Sequence, residues 1–323
     1  MSHFFSKYRR IIYILLLFII LILYIVFTIS GKSKRENSNN PVSDTQSETQ
    51  SEAKTENSNN NQSEIPSENK SNKGSVPYDA SKQGQGIGGG AITGNCSVGN
   101  RKLPIYCVDL SKKHKADDTK KYVAISFDAA WGDEDTIRIL DILDKYNIKT
   151  TFFMTGGWVE KYPDKVLEIY NRGHDLGNHS QNHKEMSKLS VNEQREEIMS
   201  VANKIKEITG YDSFLFRPPY GDYNSTLIET VYGCNFYPIE WDVDSLDWKD
   251  YGVDNIIKTV TRHKDLKDGS IILMHNGSKF TADALESVIN GLIEQGYDIV
   301  PVSQLIHTDN FSMNGMGVQL LEE

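Results

Sequence analysis

Four polar residues, in three separate parts of the chain, have side chains suited to acid–base or metal chemistry. Asp128 ends a short apolar run that is rich in β-forming residues. His179 and His183 are four residues apart, a spacing that on a helical turn puts both imidazoles on one side and suits a shared metal ion, and His275 ends a second apolar run. A carboxylate can take a proton from a metal-bound water, and an imidazole can give a proton to a leaving group. These residue types together are suited to general acid–base catalysis beside a metal ion.

Each of these residues also has a simpler structural interpretation. An Asp that follows a strand often caps the next helix. Two histidines four apart also occur on solvent-exposed helices, and His275 can be a core histidine whose hydrogen bonds are satisfied. A carboxylate at the end of a buried strand is costly to desolvate, however, so we expect Asp128 to have a partner or a function.

These residues must be positioned by the elements around them, and strand-like and helix-like segments alternate from residue 122 onward. This alternation predicts a parallel sheet with crossover helices. Seven strands favour a closed or nearly closed (β/α) barrel, with a doubly wound open sheet as the alternative. The predicted strands are Tyr122–Phe127, Thr150–Met154, His174–Leu176, Phe214–Phe216, Phe236–Trp241, Ser270–Met274 and Asp298–Val300. The predicted helices are Glu134–Tyr146, Trp158–Arg172, Val191–Thr209, Thr226–Tyr232, Val253–Arg262 and Thr281–Gln295.

Polar motifs follow five of these strands. In a (β/α) barrel the carboxyl ends of the strands open on one face, where active sites lie. The motifs are Asp128, Asn178–His183, Arg217-Pro-Pro-Tyr220, Asp244-Ser-Leu-Asp247-Trp248 and His275. Either aspartate of the fourth motif can raise the pKa of His275 and make it a general acid. The pattern therefore predicts an active site at this face.

Other residues of these motifs leave two interpretations open. Arg217 can position a substrate group, or it can form a salt bridge with a neighbouring carboxylate. Trp241 and Trp248 can belong to the core, or they can offer an aromatic face to the apolar face of a sugar ring. Asn178 is a candidate to orient one of the two histidine rings.

The five motifs, in this order, resemble those of the NodB-type polysaccharide deacetylases, the fourth carbohydrate-esterase family. The resemblance covers about residues 105 to 305. It is closest to the sporulation-type branch, whose first motif also reads Phe-Asp-Ala-Ala-Trp. The resemblance implies a distorted (β/α) barrel that removes acetyl groups from N-acetylglucosamine or N-acetylmuramic acid in chitin or peptidoglycan.

Carried over motif by motif, the resemblance assigns a role to each candidate residue. It implies Asp128 as the catalytic base, His275 as the general acid, His179 and His183 as metal ligands, Arg217 and Tyr220 as the groove wall with the Tyr220 N–H as oxyanion donor, and Asp244, Asp247 and Trp248 as the substrate-side motif. The expected cofactor is a divalent metal ion, zinc above all. The expected partners are the glycan strands of peptidoglycan.

One position departs from the family pattern. The first motif of the family has two consecutive aspartates, and the second is the third metal ligand, whereas this chain has Ala129 there. Two histidines hold a divalent ion more weakly than the three protein ligands of a usual catalytic zinc site. The sequence therefore predicts either a deacetylase with a weakened metal site or, as the alternative, a cell-wall glycan-binding protein on the same fold.

The N-terminal part of the chain predicts a membrane anchor. Residues 1–10 are short and basic, residues 11–30 are twenty residues without a charge, and a helix of that length spans a bilayer. Residues 31–93 are rich in Ser, Asn, Glu and Gly and predict a disordered linker. A single-pass membrane protein with an extracytoplasmic catalytic domain at residues 94–308 and a tail at residues 309–323 is therefore expected, with a cleaved signal peptide as the alternative for the apolar segment.

Composition and cysteine content add two expectations. The net charge of −9 and the pI of about 5.5 argue against a nucleic-acid partner, which would require a basic surface. Cys96 and Cys107 lie close together before the first long strand and predict a disulfide in an oxidising compartment, with two free thiols as the alternative. Cys234 is expected to be a small buried residue.

Overall fold

The computed structural model describes Ile92, Gly94–Lys112 and Lys120–Glu322. The predicted basic segment 1–10, the anchor 11–30 and, apart from Ile92, the linker 31–93 lie outside these residues. Within the described part of the chain, no helix combines the length and the apolar character that crossing a bilayer requires.

The described residues are organised around one eleven-stranded sheet, accompanied by a separate ribbon of β1 and β2. The strands are β1 (Ser97–Val98), β2 (Arg101–Lys102), β3 (Cys107–Asp109), β4 (Lys121–Ala129), β5 (Thr151–Met154), β6 (Asp175–Asn178), β7 (Leu215–Phe216), β8 (Tyr237–Pro238), β9 (Val243–Asp244), β10 (Ser270–His275), β11 (Tyr297–Ile299), β12 (Phe311–Met313) and β13 (Val318–Leu321). The main order is β12-β13-β3-β10-β4-β5-β6-β7-β8, with β11 paired to β4 and β9 paired to β10.

The central strands β10, β4, β5, β6, β7 and β8 are all parallel, as the alternation of elements predicted. The sheet is curled, because one isolated parallel bridge joins Ile105, just before β3, to Ile239, just after β8. This architecture is consistent with the predicted distorted (β/α) fold rather than with an open sheet.

Helices connect the strands and cover the outer face of the sheet. They are α1 (Thr136–Lys145), α2 (Gly156–Lys161), α3 (Pro163–Asn171), α4 (Val191–Thr209), α5 (Ser225–Gly233), α6 (Val253–Thr261), α7 (Thr281–Glu294) and α8 (Val302–Leu305). The bounds of α4 agree with the prediction, and Ser190 and Glu193 form a capping box at its start. The helix predicted over Trp158–Arg172 is two helices, because Pro163 lacks the N–H that a continuous helix needs and instead begins α3.

The alternation of side chains along β4 places the functional residue. Val123, Ile125 and Phe127 pack in the apolar cluster between the sheet and the helices. Ala124 belongs to the second cluster, on the opposite face, and Ser126 and Asp128 share that face because side chains alternate along a strand. The β4 strand therefore buries an apolar face against the helices and presents Asp128 at the carboxyl end of the inner face.

Two expectations differ from the structure. The segment assigned to a C-terminal tail contributes β12 and β13 to the sheet, and β13 runs parallel to β3. The predicted disulfide is wrong, because Cys96 and Cys107 are both free, as is Cys234. Cys107 is a buried residue of β3, and its burial raises the pKa of its thiol to about 12.

Candidate active site

The sheet register brings the candidate base and the candidate acid side by side. The β4 and β10 strands are parallel neighbours, and Asp128 is paired directly with His275. The β6 strand lies two places along from β4, and its end leads into the loop that carries His179 and His183. The carboxyl ends of these strands meet at one edge of the sheet, as the sequence predicted.

Asp128 is almost fully buried and is held from two sides. One carboxylate oxygen accepts a hydrogen bond from Nη1 of Arg217 at 2.7 Å, and the other lies 3.5 Å from Nε2 of His179. Burial by itself raises the pKa of Asp128, but the nearby charge of Arg217, with smaller effects from His179 and His275, brings the pKa below its ordinary value. Asp128 is therefore ionised at neutral pH, as a general base requires.

Arg217 supports Asp128 and does not line the groove as the sequence suggested. Its side chain is 0% exposed, so it cannot contact a bound glycan. Nη2 donates to Oγ of Ser126 at 2.9 Å and to the backbone oxygen of Glu240 at 3.2 Å. The guanidinium also lies over the ring of Phe153, 4.1 Å from its centroid. The salt-bridge interpretation of Arg217 is the one that the structure supports.

His179 is oriented by a backbone carbonyl. Its Nδ1 lies 2.8 Å from the carbonyl oxygen of Arg217, and because a carbonyl only accepts, Nδ1 carries the hydrogen. The Nε2 atom, which faces Asp128, is therefore left with its lone pair. The expectation that Asn178 orients one of the rings is wrong. Its side chain donates a hydrogen bond to the backbone carbonyl of Ile198 and accepts one from the backbone N–H of Ser180.

His183 reaches the site on a loop and not on the helical turn that its spacing suggested. Ser180 and His183 both have left-handed backbone angles, with φ of 64° and 52°, and the backbone N–H of His183 donates to Oγ of Ser180. The two histidine rings lie 4.9 Å apart in an edge-to-face arrangement. Glu197 of α4 anchors this loop by accepting two hydrogen bonds from Asn182, each at 2.8 Å.

His275 is held by Asp247, which settles which aspartate of the fourth motif acts on it directly. Nδ1 of His275 donates to Asp247 at 2.7 Å, the backbone N–H of His275 donates to its other oxygen at 2.7 Å, and Thr281 adds a third bond. Burial lowers the pKa of His275, but the hydrogen bond and the charge of Asp247, together with Asp128 and Asp244, raise it above its ordinary value. His275 therefore keeps its proton to higher pH than a free imidazole.

The remaining predicted residues occupy different depths. Asp247 is fully buried, so it supports His275 and does not contact substrate. Asp244 accepts a hydrogen bond from the backbone of Leu246, and its partial burial raises its pKa. Trp248 is 50% exposed, and Tyr220 is 67% exposed, with its ring 4.5 Å from that of His183. Tyr220 has a φ of 63°, a strained value that fixes the direction of its backbone N–H.

The donor set of the site fits a divalent metal ion only in part. His179 and His183 present imidazoles, and the carbonyl bond on Nδ1 of His179 is the usual way in which a metal-binding histidine is oriented. The third family position, Ala129, is 0% exposed and packs in the apolar cluster. Within the described ranges, no group of three His, Cys, Asp or Glu side chains could hold a metal ion. Asp135, an acidic residue that follows the first motif, accepts a hydrogen bond from the backbone of Gly277.

Two features of the site were not predicted from the sequence. Glu240 lies buried below Arg217, and burial raises its pKa to about 8 against the opposing charge of Arg217. Trp131 is 44% exposed and stacks on the ring of His275. The signal for Trp131 was its place three residues after Asp128, in the first motif.

The geometry can be compared with known proteins. Residues 115–238 match the family model for polysaccharide deacetylase. The peptidoglycan-N-acetylglucosamine deacetylase of Bacillus cereus is 33% identical over 193 residues, which cover 58% of this chain and 70% of that protein. The chain belongs to the polysaccharide deacetylase family. The deacetylases of this family are hydrolases that act on N-acetyl amide bonds, and the family resemblance of the five motifs is confirmed.

Two further relatives widen the comparison. The peptidoglycan-N-acetylmuramic acid deacetylase PdaC of Bacillus subtilis is 36% identical over 198 residues, which cover 61% of this chain but only 41% of PdaC. The crystal structure of BA3943 from Bacillus anthracis, described as a pseudoenzyme of carbohydrate-esterase family 4, has 32% identity and a TM-score of 0.58 and covers 64% of this chain and 69% of that one. A mutant of BA3943 is described as having restored enzymatic activity.

Proposed function

We propose that this protein is a membrane-anchored, extracytoplasmic deacetylase that hydrolyses the N-acetyl groups of peptidoglycan amino sugars. The observation that carries the proposal is the pairing of Asp128 and His275 on neighbouring strands, where the lowered pKa of Asp128 favours the carboxylate and the raised pKa of His275 favours the protonated imidazole. An ionised carboxylate beside a protonated imidazole is what amide hydrolysis needs, because one group must take a proton and another must give one.

In the proposed reaction the oxygen of a water molecule attacks the carbonyl carbon of the acetamide, and Asp128 takes a proton from that water. His275 then protonates the nitrogen of the amine as the carbon–nitrogen bond breaks, leaving acetate and a free amine. The backbone N–H of Tyr220 is the proposed donor to the oxyanion. A divalent ion held by His179 and His183, zinc in this proposal, would polarise the carbonyl and lower the pKa of the water.

The proposed substrate class is the glycan strand of peptidoglycan. One similar protein is described as a deacetylase of N-acetylmuramic acid and another as a deacetylase of N-acetylglucosamine, so the proposal includes either sugar. Loss of the acetyl group leaves a cationic amine on the strand, which changes its recognition by other cell-wall enzymes. The first motif Phe-Asp-Ala-Ala-Trp supports a role in sporulation, and the apolar segment 11–30 supports the membrane location.

The test is acetate release from purified peptidoglycan by the full-length chain, with and without a chelator. We expect release that chelator abolishes and that zinc or cobalt restores. Asp128→Asn is expected to lower the rate by about 10²–10⁴-fold, the usual contribution of a general base. Asp141→Asn is the matched control, because Asp141 is an exposed carboxylate whose ion pair is with Arg172. No release with any metal would overturn the proposal.

A second candidate function is favoured by Ala129. A chain that lacks the third metal ligand can retain the groove and bind glycans without hydrolysing them, and BA3943 shows that the family includes a protein described as a pseudoenzyme. Retention of both Asp128 and His275 speaks against this alternative, because binding alone requires neither. Glycan binding that persists in a chain without acetate release is the result that would support it.

A further inference from the structure

The exposed face of Trp131 is the feature that the proposed mechanism does not use. Its indole ring stacks on the imidazole of His275 with a centroid distance of 5.4 Å and an angle of 23° between the planes. The ring is nevertheless 44% exposed, whereas His275 is largely covered. One side of the indole thus contacts the general acid, and much of the rest is open to solvent.

The backbone that carries Trp131 is fixed to the segment that follows His275. The carbonyl of Gly132 accepts hydrogen bonds from Nε1 of Trp158 at 2.7 Å and from the side chain of Asn276 at 3.2 Å. Gly277 passes so close that a Cβ atom on it would lie 2.6 Å from the carbonyl oxygen of Trp131. The indole is therefore held at a fixed place beside His275, and its exposure does not result from a loose loop.

We propose that Trp131 is a substrate-binding residue that stacks on the sugar next to the one being deacetylated. This inference rests on the proposed function, since it names a subsite of the same groove. The reacting sugar must bring its amide nitrogen to the edge of the His275 ring, in the plane of the imidazole. A sugar stacked on the open side of the indole is separated from His275 by the thickness of the indole ring. That sugar is therefore a neighbouring unit of the same strand and not the reacting one. Aromatic side chains bury large apolar areas, and sugar rings have an apolar face that suits such contact.

This subsite has a consequence for chain length. A monosaccharide fills only the reacting position and makes no contact with Trp131, whereas a longer oligomer occupies both positions. Loss of the aromatic face should therefore weaken the binding of an oligomer and leave a monosaccharide unaffected.

The experiment measures binding of N-acetylglucosamine and of its tetramer by calorimetry, with the full-length chain in the Asp128→Asn background so that no turnover occurs. Trp131→Leu keeps an apolar side chain but lacks the aromatic face. We expect it to raise Kd for the tetramer about tenfold, the loss that one aromatic contact carries, and to leave Kd for the monosaccharide unchanged. Trp131→Phe, which keeps a smaller ring, should lose less than Trp131→Leu.

Leu167→Ala is the matched control, because Leu167 is an apolar side chain of similar exposure, 41%, on α3. It should bind both sugars as the parent does. Three results would overturn the subsite. They are an equal loss of affinity for the tetramer and the monosaccharide, an equal loss of affinity in Trp131→Phe and Trp131→Leu, and no loss of affinity in either variant. Because binding is measured without turnover, an absence of acetate release by the wild-type chain would count against the proposed function and not against this subsite.

Discussion

The proposed acid–base half of the site (Asp128 and His275) and its proposed metal half (His179 and His183) are held in place by different kinds of structure. Asp128 and His275 each sit at the end of a long central strand, and each is held by a buried partner, Arg217 for the base and Asp247 for the acid. The histidine pair depends on a loop with two left-handed residues, and its third ligand position is Ala129. The groups proposed to move protons are therefore fixed by the fold itself, whereas the proposed metal site depends on one loop and lacks the third ligand of the family pattern.

The largest effect is expected when Arg217, the partner of the proposed base Asp128, is removed. Arg217→Met leaves Asp128 as a buried carboxylate without its cation, and we expect the free energy of unfolding to fall by about 3–5 kcal/mol at neutral pH. Denaturant unfolding measures the loss. Because the folded-state pKa of Asp128 is lowered, its contribution to stability is present above the unfolded pKa and is lost as the pH falls through the folded pKa.

The control for this prediction is the same change in the Asp128→Asn background, where no buried charge is left unpaired. The loss should be smaller there, and it should no longer depend on pH in the acid range. An equal loss in both backgrounds would mean that Arg217 stabilises the protein through its packing on Phe153 rather than through the ion pair.

The second test removes the partner of the acid. Asp247→Asn takes away the group that raises the pKa of His275, so we expect kcat to fall by up to about 10²-fold and the alkaline limb of kcat/KM to move to lower pH. The raised pKa also stabilises the folded state below the unfolded pKa, and this contribution is lost as the pH rises through the folded pKa. Asp244→Asn should move the limb less, because Asp244 lacks the direct hydrogen bond. A larger effect of Asp244→Asn would contradict the assignment.

The third change, for which the smallest effect is expected, adds a ligand to the proposed metal site. Ala129→Asp puts a carboxylate at the third ligand position of the family, and we expect zinc affinity to rise about tenfold, measured by competition with a chromogenic chelator. Because Ala129 is buried in an apolar cluster, the carboxylate should lower Tm without metal, and zinc should recover Tm by binding the folded state. Ala129→Ser is the control for a polar group that is a poor zinc ligand. Equal zinc affinity in the variant and the parent would show that this position does not face the histidines.

The sequence was sufficient where a regular element carries the residue. Parallel strands with polar ends predicted that Asp128 and His275 meet, since the carboxyl ends of such strands share one edge of the sheet. The periodic apolar pattern of α4 predicted its bounds, because a long amphipathic helix with a capping box is a strong local signal.

The sequence was insufficient where direction or loop geometry decides. The spacing of His179 and His183 suggested a helical turn, but the structure joins them through positive φ values that nothing in the residue types of Ser180 and His183 requires. Arg217 looked like a groove residue because the motif does not reveal that its side chain points into the barrel. The strands β12 and β13 were missed because their stability comes from pairing with β3, which is distant in sequence.

The pairing of β4 with β10 has a consequence for how the protein folds. The Oγ of Ser126 donates to the backbone of Ile272 across 146 residues, so these strands can join only after a long loop of chain has closed. Contacts of such large sequence separation slow folding. Asp128 and His275 lie at the end of this pair, so a chain in which these strands have not yet joined lacks the proposed acid and base side by side. The proposed hydrolysis therefore becomes possible only after two strands that lie 146 residues apart in the chain have met.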